Sequence, residues 1–159
     1  MAAFWQVFYA GMSAGPVLIE RAMILMKTYF TAYLVTAIAF LATDSVWLSN
    51  MANVFYRPVM GDMLAPGFRL APAIVFYVIF VFGLVFFAVR PGLLAGSATV
   101  TVVHGALLGF VAYATYDLTN QATLKNWSWT LTIADLIWGT VLSAVSAYIG
   151  YWVTSRISG

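Results

Sequence analysis

Four long apolar runs, at about residues 28–49, 70–89, 97–120 and 129–155, decide what this chain can fold into. Each meets the roughly 20 residues that an α-helix needs to cross the hydrocarbon core of a bilayer. The expected fold is all-α: a polytopic membrane protein built as a four-transmembrane-helix bundle over residues 26–159, with an N-terminal interfacial arm at residues 1–25. Only 8% of the residues are charged, against about a quarter in a soluble domain, so lipid must surround most of the chain. The connections, 50–69, 90–96 and 121–128, are too short to hide a soluble domain.

The same scarcity of charge narrows the partners. The net charge of +2 comes from a shortage of acids, and no Lys/Arg cluster exists that could follow a phosphate backbone. Nucleic acid is therefore not expected; membrane lipids and other membrane protein subunits are. With no cysteine, disulfides, thiolate nucleophiles and Cys-ligated zinc or iron–sulfur sites are excluded. No metal-spaced triad is present, and no metal or cofactor is predicted. The one minor candidate is His104, whose small neighbours in VVHGALLG could admit a haem or pigment ring. A single histidine in a helix is more often a buried hydrogen-bond partner.

Helix punctuation agrees with the runs. Pro72 falls in a first turn, and Arg90-Pro91-Gly92 predicts an end to the second helix. In the arm, Phe4, Phe8 and Met12, with Trp5 and Tyr9, form an aromatic stripe at helical spacing that Gly15-Pro16 should break. No Lys or Arg precedes this run, so it does not read as a secretory signal. Four spans place Arg21, Lys27, Arg90 and Arg156 on one side and Arg57, Arg69 and Lys125 on the other. Four cations against three favour cytoplasmic termini in a bacterial inner membrane.

The acids are more lopsided. At 1.5 Å per residue, Asp44, Asp117 and Asp135 come from three helices to one level near the predicted periplasmic face. Tyr113, Tyr116, Asp117 and Asn120 share a face of the third helix, which Gly105 and Gly109 continue as a GxxxG. On the fourth helix Asp135 heads a ladder of Gly139, Ser143, Ala147 and Gly150. Tyr33, Ala37, Phe40, Asp44 and Trp47 make the corresponding seam on the first. These faces should meet, with Trp138 packed against the acids and Gly105, Gly109, Gly139 and Ser143 in the close-packed seams. Trp47, Trp127, Trp129 and Trp152 fall near interfaces, where indoles prefer to sit. Asp135 lies near a helix N-terminus that favours a carboxylate, whereas Asp44 and Asp117 approach C-termini that oppose one. Asp117 is therefore expected to be ordered by Tyr113, Tyr116, Asn120 and a cation, Arg57 or Lys125, with Arg57 reaching back into the mouth.

The runs MKTYFTAYLVTAIAFLATDSVWLSNMANVFYRP, APAIVFYVIFVFGLVFFAVRP, GALLGFVAYATYDLTNQATLKNW and TIADLIWGTVLSA resemble, in order, a family of small bacterial membrane proteins known as domain of unknown function 2177. The likeness covers about residues 26–147. Its specific elements are YATYDLTN-x-ATL-x-x-W and the D-x-x-W pairs Asp44/Trp47 and Asp135/Trp138. The resemblance implies a four-span inner-membrane protein without an assigned reaction.

Three functions stay open. The first is a non-catalytic membrane component, an accessory subunit of a larger assembly, whose polar mouth is a structural clamp. The second is a lipid- or small-molecule-handling protein, which could be an enzyme using Asp117 or Asp135 as acid or base and Tyr113, Tyr116 and Asn120 to orient substrate. The third is an ion or proton pathway, disfavoured because the acids gather at one level instead of crossing the bilayer.

Overall fold

The computed structural model describes the backbone of residues 2–157 and the side chains of residues 15 and 17–157. In chain order it comprises α1 (Ala2–Met51), a π-helical turn (Ala52–Tyr56), α2 (Arg57–Met60), a 3-10 turn (Gly61–Met63) and α3 (Leu70–Leu84). A second π-helical turn (Val85–Val89), α4 (Arg90–Ala95), α5 (Ala98–Thr123) and α6 (Trp129–Ile157) follow. Among the described residues there is no strand. Four stretches are long and apolar enough to span a membrane: Val17–Met63, Leu70–Ala95, Ala98–Thr123 and Trp129–Ile157.

Burial runs opposite to that of a soluble domain. Thr36 is 0% exposed while Ile38, two residues on, is 67% exposed. Thr101, Ser143, Ser146 and Thr154 are likewise interior, and Phe30, Val46, Phe82 and Ile137 face outward. A chain in water would reverse this sorting; in lipid the outer face must be apolar. Inside, Phe40, Leu84, Leu142 and Val89 form a core among α1, α3, α6 and the second π turn.

Helix α6 is the hub, packed most extensively on α5 and next on α1. Glycine makes both seams possible. A Cβ on Gly105 would lie 3.0 Å from the Ala147 Cβ, and one on Gly109 would fall on the backbone carbonyl of Gly139. Gly139 in turn accepts the ring of Tyr113 against its backbone, and Gly150 accepts the Thr36 hydroxyl. Such contacts let backbones approach where lipid supplies no hydrophobic drive.

Two sequence expectations need correction. The second span does not end at Arg90-Pro91-Gly92; it continues to Ala95, and the turn is made by Gly96 at φ +60° with Ser97 capping α5. Helix α1 also runs through Gly15-Pro16 without a break. The aromatic side chains of the arm lie outside the described residues.

The reason Pro91 does not end its helix is local. Proline lacks an N–H and its ring crowds the carbonyl four residues back. Both Arg-Pro pairs of the chain, Arg57-Pro58 and Arg90-Pro91, directly follow a π turn, in which the arginine N–H reaches five residues back, to the carbonyls of Ala52 and Val85. The widened turn makes room for the ring. The carbonyl that Pro91 leaves without its α-helical donor is that of Phe87, and His104 Nδ1 sits 3.1 Å from it. A carbonyl can only accept, so the hydrogen is on Nδ1; any haem or pigment would be left with Nε2.

A double-mutant cycle checks this pairing. His104→Ala should lower stability by about 1 kcal/mol, the net value of one hydrogen bond. In a Pro91→Ala background, where a backbone N–H is restored, the same change should become nearly neutral. Equal losses in both backgrounds, read from unfolding in detergent, would separate His104 from the proline.

Candidate functional site

Two carboxyl groups at the acid-bearing end are held by aromatic donors from other elements. Asp44 on α1 accepts from Tyr77 Oη of α3 at 2.7 Å and from Trp138 Nε1 of α6 at 3.3 Å. Asp135 on α6 accepts from Tyr56 Oη at 2.6 Å, and Tyr56 accepts from Trp47 Nε1 at 3.0 Å. The two indoles stack face to face, centroids 4.2 Å apart and planes 11° apart. Each D-x-x-W tryptophan thus serves the aspartate of the other helix, Trp138 directly and Trp47 through Tyr56. These bonds tie α1, α3, α6 and the first π turn into one unit.

Asp117 is treated differently. It is 0% exposed, and among the described residues neither carboxyl oxygen has a hydrogen-bond partner. Arg57, Arg69 and Lys125 are all exposed. The cation expected to order Asp117 is therefore not there, and Arg57 does not reach into the mouth. Its neighbour Tyr56 does, because of the π turn. In an unbroken α-helix Tyr56 would sit about 120° around the axis from Asp44; one extra residue in a wide turn removes about 100° of that.

The rest of the predicted cluster divides. Tyr113 is half-buried between Gly139 and the edge-on ring of Phe80, 6.4 Å away. Tyr116 points outward, edge-on to Trp127 at 5.6 Å, and Asn120 is half-buried at the same end. Four residues spread over about 100° of helix surface cannot all face one seam. The threonines of this polar run are satisfied locally, Thr115, Thr119 and Thr123 each donating to the carbonyl four residues back. Trp127 is buried, not in a belt: its Nε1 donates to Thr132, which donates to Gln121, and Gln121 donates to the Trp127 carbonyl.

Tyr56 and Tyr77 are the site residues that the sequence reading missed. The available signal was generic: a tyrosine inside an apolar segment needs a partner for its hydroxyl, and the acids were the partners on offer.

Beside this network a cavity of about 390 Å³ lies between α3 and α5 against α6, lined by Phe76, Phe80, Ala112, Tyr113, Tyr116 and Asp135. Among the described residues no group of three or more His, Cys, Asp or Glu side chains is placed to hold a metal ion.

The family described as "Predicted membrane protein (DUF2177)" matches residues 29–152. The chain belongs to that family. The DUF2177 match takes in both D-x-x-W pairs, Tyr56, Tyr77 and Asp117, and stops short of residues 1–28. No curated protein and no solved structure matches the chain.

Proposed function

We propose that this DUF2177 protein is a non-catalytic component of a larger assembly in a bacterial inner membrane, with both termini cytoplasmic and the aspartate end periplasmic. The observation that carries the reading is the crossed network: Asp44 and Asp135 take their donors from Tyr77, Trp138 and Tyr56 on other elements. Carboxylates engaged in this way fix helix positions. A rigid clamp at one end leaves the long outer faces of α1, α3 and α5, all rich in exposed apolar residues, for lipid and for neighbouring subunits.

Native mass spectrometry of gently solubilised protein tests the assembly. Co-purifying membrane subunits in fixed ratio are expected; bare monomers alone would defeat it. Orientation is tested separately. Because the chain has no cysteine, single cysteines at Ala95 and Asn126, both exposed, report cleanly. Asn126→Cys should be labelled from outside and Ala95→Cys protected; the opposite pattern reverses the topology.

A second reading, lipid or small-molecule handling, is favoured by one specific observation. The cavity between α3 and α5 has a carboxyl group on its wall.

A further inference from the structure

We propose that the cleft between α3 and α5 binds the ammonium headgroup of a membrane lipid, with Asp135 as counter-ion and the rings of Phe76, Phe80, Tyr113 and Tyr116 as the surrounding wall. This rests on the lipid-handling reading and goes beyond the clamp, with which it shares Asp135 alone.

The volume, about 390 Å³, falls in the range of roughly 300–1,000 Å³ typical of small-molecule sites. Its wall is a continuous aromatic surface: Phe76 and Phe80 stack at 5.4 Å, and Phe80 meets Tyr113 edge-on at 6.4 Å. Ring faces attract cations, and attract them more strongly away from water. The carboxyl group on the same wall supplies the complementary charge. Asp135 commits Oδ1 to Tyr56, which leaves Oδ2 free among the described residues to accept from an ammonium N–H. An ammonium is the class that both features recognise; phosphatidylglycerol carries the same phosphodiester charge as phosphatidylethanolamine but no ammonium to pair with Asp135.

The entrance points to a lipid as the source. Phe76 is 44% exposed and Tyr116 56% exposed, each on a helix whose outer surface is apolar and meets the bilayer. Helix α5 packs on the second π turn and on α4, but α3 itself makes little contact with α5, so the cleft opens sideways into the membrane. Asp135 lies six residues along α6 from Trp129, about 9 Å from the helix end, near one end of the span, where lipid headgroups lie, and away from its middle.

The test uses the full chain in detergent, titrated with phosphatidylethanolamine and with phosphatidylglycerol of the same acyl chains and followed by native mass spectrometry. Phosphatidylethanolamine should bind about tenfold more tightly. Ala112→Phe, which fills the cleft without replacing either aspartate, should abolish that preference with little change in melting temperature. Asp135→Asn should weaken the amine lipid about tenfold and leave phosphatidylglycerol unchanged or improved. Equal binding of the two lipids by the native chain, or a preference that survives Ala112→Phe, overturns the proposal. Binding of free ethanolamine with no preference for the lipid would also overturn it, in favour of a soluble amine. Loss of the clamp reading would show instead in stability, through Asp44 and Tyr77, which do not line the cleft.

Discussion

Gly109→Ala is expected to destabilise the bundle by about 2–3 kcal/mol, near the top of the usual range for overpacking, although it adds a single methyl group. The new Cβ falls on the backbone carbonyl of Gly139 and within 2.5 Å of Ser143 Oγ. A carbonyl in the middle of α6 cannot turn away as a side-chain tip can, so α5 and α6 must separate along their whole seam. Because these two helices share the most extensive contact in the fold, loss there is felt globally. Gly105→Ala, whose new Cβ would stand 3.0 Å from the Ala147 Cβ and from the Ser143 carbonyl, needs a smaller shift and should cost less, about 1 kcal/mol. Val141→Leu on the exposed face of α6 should stay within about 0.5 kcal/mol. Chemical unfolding in detergent of the three variants gives the order, and a Gly109→Ala variant no worse than Val141→Leu would mean that the seam is not close-packed.

The same seam shows why much of the fold was legible before any coordinates. Apolar length locates a span directly, and small residues at four-residue spacing mark where helices can touch. Gly105, Gly109, Gly139 and Ser143 needed no tertiary information to be singled out. What the sequence did not disclose are features whose sign depends on a neighbour. Pro91 reads locally as a stop, but a wide turn before it and His104 opposite it let the helix pass. Arg57 was the residue expected in the mouth, and that its neighbour Tyr56 enters instead rests on a π turn that rotates the chain by one residue. Tyr77 is one aromatic among many in α3; only the position of Asp44 makes it a donor.

Asp44 and Asp117 looked alike in sequence, each approaching a helix C-terminus, and their replacement should separate them in sign. Asp44 is buried with two donors, Tyr77 Oη and Trp138 Nε1. Asp44→Leu would strand both, and hydrogen bonds to a charged group are worth about 1.5–3 kcal/mol each, so a loss of about 3–5 kcal/mol is expected. Adding Tyr77→Phe should recover part of it, since one stranded hydroxyl is then gone. Asp117 has the burial without, among the described residues, the donors. Leaving a buried polar group unsatisfied costs about 1–3 kcal/mol, so Asp117→Val should raise stability by about that amount, where paired charge would have made the same change harmful. A group held against its own stability is expected where function requires it, and the decisive comparison is thermal unfolding of Asp117→Val and Asp44→Leu beside subunit and lipid retention in the same samples. Stabilisation with loss of retention assigns Asp117 a working role in the membrane. Stabilisation with retention intact makes it dispensable, and destabilisation on the scale of Asp44→Leu would mean that its carboxyl has a partner in the native membrane.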